Sequence, residues 1–420
     1  MPTVEGFDFF PLAFDENGTL QSREQFEALT TRARSATDVV FIAHGFRNDE
    51  NEATGLYTRF LGTLRANLAR PEFRALANRQ FVFAGVYWPS KPFRESYGDS
   101  PSGTRGLESP SATLADARAQ LEELKDDATP AQRQDLDLAI ALLPTLENNP
   151  PAQNEFVKLV WSLLETSNTD ATEGLPQIRS RSGEEILARL SPPAGAGTRG
   201  IGDLGGRIAG GVGQFLNLTK WYVMKDRSGT VGATGVAEAV RSLRASCPDV
   251  RIHVVGHSLG GRLAASCAKA LGTSPKVPLD SLMLLEAAFS HFGFSTDNGH
   301  GTAGFFRDVI DQQVVKGPFV STFSAQDTVV GKAYSLMSRL AGDNTRGIGD
   351  ERDEFGGIGR NGPLKTSEVA TVKLNSAGTP YQFKDRVNNN LDGSGGLITN
   401  HSDVTNEAVT YAFASAMLRT

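Results

Sequence analysis

A serine is flanked by glycines in the stretch Gly256-His257-Ser258-Leu259-Gly260, which has the pattern G-x-S-x-G. The β-branched residues before this stretch predict a strand, and the small residues after it predict a helix. At such a corner the serine hydroxyl would stand clear of the sheet, while glycines at both ends would let strand and helix approach closely. The pattern therefore predicts Ser258 as a nucleophile, and the alternative is a tight turn without chemistry.

A serine hydroxyl needs a base, and His401 is the predicted one. This histidine lies in a polar loop between the last predicted strand and the last predicted helix, from which it could approach Ser258. The other histidines lie at strand ends, inside a strand, or before the best acid candidate in the chain: His44, His253, His257, His291 and His300. The alternative for His401 is an ordinary residue at the start of a helix.

The base in turn needs a carboxylate that orients it. Asp327 ends the predicted strand PFVSTFSAQD and gives the chain order serine, acid, histidine that an elbow of this kind uses. Glu286 ends the preceding predicted strand and is the alternative acid. If Asp327 is the acid, Glu286 needs another partner, because a carboxylate in so apolar a strand is expected to be half buried.

Backbone amides would hold the negative charge that develops on a substrate carbonyl oxygen. One donor is the amide of Leu259 at the start of the helix, where the helix dipole is positive. The other is the amide of Phe46, because AHGF follows the first predicted strand and Gly45 permits a tight turn. The predicted substrate-binding residues are His257, beside the nucleophile, and Trp88, at a strand end, with core packing as the alternative for Trp88.

Alternating strands and helices must position these residues. The first strand is followed by a helix over 52–68, and a final helix is predicted over 404–418. Strands are predicted from their apolar, β-branched composition at 38–46, 79–90, 251–258, 280–289, 318–327 and 367–374. This alternation predicts the α/β class, with a mostly parallel sheet flanked by helices.

Residues 91–230 interrupt the alternation and contain no convincing strand. Their helical patterns predict a large insertion that covers the sheet as a cap, with helices at 113–125, 131–147, 152–167 and 183–190. The chain is therefore divided into a core of residues 1–90 and 231–420 and a helical cap of residues 91–230. Within the cap, the nine glycines of residues 194–213 predict a mobile loop.

Composition and smaller motifs narrow the function classes. A net charge of −6 argues against a nucleic-acid binder that relies on phosphate contacts. The sequence has no signal-peptide pattern and no run of 18 apolar residues, which predicts a cytoplasmic protein without a transmembrane segment. Cys247 and Cys267 lack the spacing of metal ligands, and NNNLDGSGG (388–396) predicts an Asn/Gly turn rather than a calcium loop. No metal or cofactor is expected, and nothing indicates the oligomeric state.

Taken together, AHGF, VYWPS, GHSLGG, Asp327 and His401 resemble the α/β-hydrolase superfamily. The arrangement is most similar to bacterial hydrolases of uncharacterised function that carry an HGF-type oxyanion loop and a WPS strand end. The resemblance covers residues 38–90 and 231–418, whereas residues 91–230 match no family pattern.

The resemblance implies an α/β-hydrolase fold, with Ser258 as nucleophile, His401 as base and Asp327 as orienting acid. It implies cleavage of a carboxylic ester, or a related acyl bond, in a small-molecule substrate, without a metal or an organic cofactor. A thioesterase, an amidase or an acyltransferase on the same triad is left open. An inactive scaffold of this fold that binds a partner protein through the insertion is the alternative from another class.

Overall fold

A nine-stranded sheet forms the centre of the computed structural model, which describes residues 3–46, 48–90, 113–126, 128–164, 171–191, 203–299, 301–341, 350–379 and 381–420. The strand order is β1-β2-β4-β3-β5-β6-β7-β9-β8, and every neighbouring pair is parallel except β1 with β2. The strands are Thr3–Val4, Phe7–Ala13, Asp38–Ala43, Phe81–Tyr87, Arg251–His257, Ser281–Leu285, Phe319–Phe323, Val369–Lys373 and Asn388–Asp392, numbered β1 to β9. The predicted α/β class and mostly parallel sheet are confirmed.

Helices cover both faces of this sheet. In chain order, α1 to α14 are Arg23–Ala33, Glu50–Leu68, Leu114–Leu124, Pro130–Leu142, Pro150–Val160, Leu175–Arg179, Gly183–Leu190, Asp203–Thr230, Ala237–Ser246, Leu259–Leu271, Arg307–Asp311, Thr328–Ala341, Ile358–Asn361 and Glu407–Leu418. Short 3-10 helices lie at Pro71–Leu76, Leu143–Thr145, Trp161–Leu163 and Ala171–Glu173. None of the helices in the described part of the chain combines the length and apolar character needed to cross a bilayer.

The central strands are apolar on both faces, which explains their continuous hydrophobic runs. In β3, Phe41 joins the hydrophobic core that also contains Leu263 of α10. Its neighbour Ile42 points to the opposite core, with Tyr57 of α2 and Tyr411 of α14. Successive side chains of a strand alternate between faces, so each central strand contributes to two cores at once.

Three strands were missed: β1, which has only two residues, and β2 and β9, whose composition is unusual for a strand. β2 contains Pro11, which cannot donate a backbone hydrogen bond. Because β1 pairs only with residues 7 and 8 of β2, Pro11 has a neighbouring strand, β4, on one side only. β9 contains Asn388, Asn389 and Asn390, all buried. The predicted Asn/Gly turn is therefore wrong for residues 388–392.

Hydrogen bonds explain how asparagines can form a buried strand. The hydroxyl group of Ser321 in β7 lies 2.7 Å from the amide oxygen of Asn388 and 2.9 Å from that of Asn390. The side-chain amide of Asn389 donates to the carbonyl oxygens of Phe319, at 3.1 Å, and Lys384, at 2.8 Å. Burying a polar group is costly unless it is hydrogen-bonded, and two of these partners, Ser321 and Phe319, come from a distant part of the sequence.

The glycine-rich part of the insertion is helical from residue 203 onward, so the mobile-loop prediction is wrong there, while 194–202 lie outside the described residues. Helix α8 continues through a π-helix, Val231–Val236, directly into α9, and the predicted boundary at 230/231 falls inside this continuous segment. A Cβ atom on Gly211 would lie 2.6 Å from the carbonyl oxygen of Leu187, and one on Gly232 would lie 2.1 Å from that of Leu263. The glycines therefore serve close helix packing.

Candidate active site

Ser258 lies at the sharp turn between β5 and α10, with φ +58° and ψ −123°. Left-handed φ values are rare for residues other than glycine and are held in place only by the surrounding structure. The amide of Ser258 donates to the carbonyl oxygen of Leu285, and the amide of Ala288 donates to the carbonyl oxygen of Ser258, both at 3.0 Å. A Cβ atom on Gly256 would lie 2.0 Å from the carbonyl oxygen of Gly260, so this turn requires glycine.

The three residues predicted as a triad form one chain of hydrogen bonds. His401 Nε2 lies 2.8 Å from Ser258 Oγ, and His401 Nδ1 lies 2.8 Å from Asp327 Oδ2. The side chains are buried, with 4% of Ser258, 8% of His401 and none of Asp327 exposed. In this arrangement the imidazole can accept the serine proton at Nε2 while its Nδ1–H donates to the carboxylate.

The carboxylate of Asp327 is fixed by the start of α12. Its Oδ1 atom accepts a hydrogen bond from the Val330 amide at 2.9 Å, which leaves Oδ2 for His401. The start of a helix favours a negative charge because its amides and its dipole are oriented toward it. Asp327 therefore remains an oriented acceptor for His401 Nδ1–H.

His257, a predicted substrate-binding residue, contacts the base directly. Its Nε2 atom lies 2.8 Å from the carbonyl oxygen of His401, and the two rings are 4.8 Å apart. Burial, followed by the nearby His401, lowers the pKa of His257 to about 3, so its ring is neutral and Nε2–H donates to this carbonyl. The contact fixes the loop that carries the base, and the substrate-binding role stays a prediction.

The loop of His44, Gly45 and Phe46 lies against the nucleophile. A Cβ atom on Gly45 would be only 2.8 Å from Ser258 Cβ, so a larger residue would not fit. The His44 amide donates to the hydroxyl group of Tyr57 at 3.0 Å. Burial lowers the pKa of His44 to about 4, and its Nδ1 atom lies 2.9 Å from the carbonyl oxygen of Gly45. His44 is thus a neutral side chain that shapes the loop.

Trp88 supports this loop from the end of β4. Its ring stacks on that of His44, with ring centres 5.7 Å apart and planes 13° apart. Its indole N–H donates to the carbonyl oxygen of His44 at 3.0 Å. Trp88 is buried, and its contact with the loop is a role that the sequence analysis missed. The predicted role as a wall of the substrate pocket stays a prediction.

Leu259 and Phe46 carry the two predicted oxyanion donors. Leu259 is the first residue of α10, and the first four amides of a helix have no acceptor within the helix. The Phe46 ring packs edge-on against Trp221 of α8 at 6.2 Å. Trp221 lies in the apolar run FLNLTKWYVM, which is the signal that could have connected this helix with the site. The insertion thus contacts the loop beside the nucleophile.

Glu286, the alternative acid, is also close to the base. Potential ligand atoms of Glu286, Asp327 and His401 all lie within 4.8 Å of one another, but the hydrogen bond to His401 Nδ1 comes from Asp327. Both carboxyl oxygens of Glu286 are buried without a hydrogen-bond partner among the described residues. These three side chains are also types that bind metal ions, although His401 Nδ1 and Asp327 Oδ2 already bind each other.

The other histidines and the cysteines that the structure describes lie apart from this chain of hydrogen bonds. His253 is hydrogen-bonded to Ser281 and Asp38, and His291 lies 3.1 Å from the side-chain amide of Asn361. His300 lies outside the described residues. Both cysteines are free and buried: Cys247 and Cys267.

Comparison with known proteins does not identify a family for this chain. The sequence matches no protein-family model and no curated protein. One similar solved structure is an uncharacterized protein from Pseudomonas aeruginosa, with 12% sequence identity and a TM-score of 0.19. The match covers 76% of this chain and 41% of that chain, so this chain spans about two fifths of the other's length.

Proposed function

We propose that this chain is a serine hydrolase of the α/β-hydrolase superfamily that cleaves carboxylic esters. The observation that carries the proposal is the continuous hydrogen-bonded chain from Ser258 through His401 to Asp327, with the serine in a strained turn at the start of a helix. Strain of this kind is concentrated at functional sites, and the start of a helix stabilises developing negative charge.

The proposed reaction has two steps. Ser258 Oγ attacks the acyl carbonyl carbon while His401 Nε2 takes the hydroxyl proton. The carbonyl oxygen becomes an oxyanion that the amides of Leu259 and Phe46 are predicted to bind. His401 then gives the proton to the leaving alcohol, and water, deprotonated by His401, releases the acid and restores Ser258.

Each supporting residue has a defined task in this reaction. Asp327 compensates the positive charge that His401 acquires, and the Val330 amide keeps the carboxylate in place. His257 holds the backbone of the base, and Trp88 holds the loop that precedes Phe46. A small to medium acyl group that reaches Ser258 beneath the cap stays a prediction. A small-molecule ester as partner and a cytoplasmic location stay predictions.

A fluorophosphonate probe tests the proposal directly. Such a probe phosphonylates the nucleophile of an active serine hydrolase, so we expect the wild-type protein to be labelled and Ser258→Ala to be unlabelled. An unlabelled wild-type protein would favour the inactive scaffold, and labelling that survives in Ser258→Ala would place the nucleophile elsewhere. A series of p-nitrophenyl esters of increasing acyl length, run beside a thioester and an amide, then separates the esterase from the other acyl-bond chemistries.

A further inference from the structure

Glu286 is a fully buried acid directly beyond the end of β6. It follows β6 with φ +43°, and its amide donates to the hydroxyl group of Thr322 at 3.2 Å. Its side chain is fully buried, and neither of its carboxyl oxygens has a hydrogen-bond partner in the described ranges. An ionised carboxylate in such a place would lose its hydration without compensation, which is among the most expensive arrangements in a protein.

The charged neighbours of Glu286 make ionisation still less favourable. Asp327 lies on one side, and Asp403 belongs to the loop that carries His401. The cation of α13, Arg360, donates to the backbone carbonyl oxygens of Ala325 and Asp327. Burial, followed by the charges of Asp327 and Asp403, raises the pKa of Glu286 well above its usual value. Burial and the two neighbouring carboxylates thus both favour the protonated form of this carboxyl group.

We propose that Glu286 is a positioning residue that holds a proton beside Asp327, so that His401 works with a single carboxylate partner. This inference rests on the proposed function in so far as it concerns the working base. A second ionised carboxylate so close to the imidazole would favour the imidazolium form, which has no free Nε2 lone pair for the proton of Ser258. A protonated Glu286 thus keeps His401 able to accept the proton of Ser258.

The same arrangement would allow Glu286 to replace Asp327 as the partner of His401 when Asp327 is removed. Asp327 contributes to keeping Glu286 neutral, and its removal would both weaken that effect and open space next to His401 Nδ1. In Asp327→Ala, Glu286 is then the nearest carboxyl group that could release its proton and accept from His401. Activity of this variant should increase with pH as Glu286 ionises.

Two activity measurements distinguish a proton-holding Glu286 from an orienting acid. Glu286→Gln keeps the shape and the neutral charge, so we expect a loss of less than about tenfold in kcat/KM, with the acid limb of its pH profile retained. Asp327→Ala should lose at least about 10³-fold near pH 7 and recover in part toward about pH 9, whereas Asp327→Ala/Glu286→Gln should show no recovery. A loss in Glu286→Gln as large as that in Asp327→Ala, or equal pH profiles of the single and double variants, would overturn the proposal.

A stability measurement decides the protonation state even for a protein without activity. A group whose pKa is raised by folding contributes stability below its unfolded pKa and loses this contribution as pH rises toward the folded pKa. The Tm of Glu286→Gln should therefore exceed that of the wild-type protein by an amount that grows from about pH 5 to about pH 9. A pH-independent difference would refute the proton on Glu286.

Glu368 provides the matched control for this measurement. Hydrogen bonds from Arg307 lower the pKa of Glu368 to about 2, which is the opposite direction from Glu286. Its contribution is therefore complete above its unfolded pKa and constant over the tested range. Glu368→Gln should be less stable than the wild-type protein by an amount that does not change from about pH 5 to about pH 9.

Discussion

Among the described residues, two hydrogen-bonded chains of serine, histidine and aspartate lie at opposite ends of the same parallel strands. The upper chain is Ser258, His401 and Asp327, beyond the carboxyl ends of β5 and β7. The lower chain is Ser281, His253 and Asp38, at the amino ends of β6, β5 and β3. Ser281 Oγ lies 2.7 Å from His253 Nδ1, and His253 Nε2 lies 3.0 Å from Asp38 Oδ1. Both chains have hydrogen-bonding distances and buried residues.

The two hydrogen-bonded chains differ in the partners of their aspartates. Arg79 forms an ion pair with Asp38 and also donates to the carbonyl oxygen of Met417 at 2.7 Å. Burial raises the pKa of Asp38, but hydrogen bonds from Arg79 and His253 outweigh this and hold it well below its usual value. Asp38 thus belongs to an ion pair that ties the carboxyl terminus to the sheet, whereas the side chain of Asp327 orients His401.

The two hydrogen-bonded chains also differ in the backbone conformation at their serines. Ser281 is an ordinary strand residue that pairs in register with His253 of β5. Ser258 is at a strained turn before α10, and Gly45 of the loop after β3 lies against it. Helix starts and loops meet at the carboxyl ends of parallel strands, which is where sheets of this kind bind ligands. A reactive serine therefore needs this edge as well as the right neighbours.

The serines themselves give the largest expected contrast. Ser258→Ala removes the proposed nucleophile and should lower ester turnover by about 10⁶-fold. Ser281→Ala should leave turnover as it is and destabilise the protein by about 1–3 kcal/mol, because His253 Nδ1 loses its buried partner. Steady-state hydrolysis and denaturant unfolding of both variants measure the two effects. Loss of turnover in a folded Ser281→Ala would contradict the assignment of the two chains.

The upper aspartate should affect the rate. Asp327→Asn keeps the shape of the side chain but presents a donor to His401 Nδ1, which favours the wrong tautomer of the base. We expect a loss of about 10⁴-fold in kcat with a change in unfolding free energy that is small beside this loss. Turnover within tenfold of the wild-type value would assign the orienting role to another acid, and Glu286 is the candidate to test next.

The lower aspartate should affect stability. Asp38→Asn leaves the Arg79 guanidinium partly buried without its charge partner, which should cost about 3–5 kcal/mol of unfolding free energy. Because folding lowers the pKa of Asp38, its contribution is complete above the unfolded value near 3.8 and shrinks as pH falls below it. Urea unfolding at about pH 7 and about pH 3 should show a smaller difference between wild type and variant at the lower pH.

Local sequence patterns were sufficient for much of the sheet and for the members of the upper chain. The apolar runs of β3 to β7 reflect burial on both faces, and this property is visible in each strand alone. The turn at Ser258 was predictable because its glycines are close in sequence to the serine. Asp327 was predicted from its place at a strand end and His401 from its place in a late loop, with Glu286 left open as the alternative acid, and the structure brings Ser258, His401 and Asp327 together.

The missed features depend on residues that are far apart in the chain. The Asn-rich strand β9 relies on Ser321, nearly 70 positions away. Gly211 of α8 relies on a contact with α7, and Gly232 of the following π-helix relies on a contact with α10. The contact of His257 with the carbonyl oxygen of His401 spans 144 positions. Composition alone predicts turns or flexible loops for stretches rich in asparagine or glycine. Tertiary contacts that are not visible in the local sequence make these stretches a strand and a helix instead.

The smallest expected effect concerns the support of the loop above the upper chain. Trp88→Phe keeps an aromatic ring next to His44 but removes the indole N–H that donates to the His44 carbonyl oxygen. Loss of one such bond is worth about 0.5–1.5 kcal/mol, which corresponds to about a twofold to tenfold decrease in kcat if the loop places the Phe46 amide.

The dependence on acyl length distinguishes this support from a pocket wall. If Trp88 only holds the loop, Trp88→Phe should lower kcat by a similar factor for short and long p-nitrophenyl esters and leave KM nearly constant. A change in KM that grows with acyl length would instead show that Trp88 contacts the substrate. Because Ser281 lies in a strand at the other end of the sheet, Ser281→Ala, measured with the same esters, provides the reference for effects that come from stability alone.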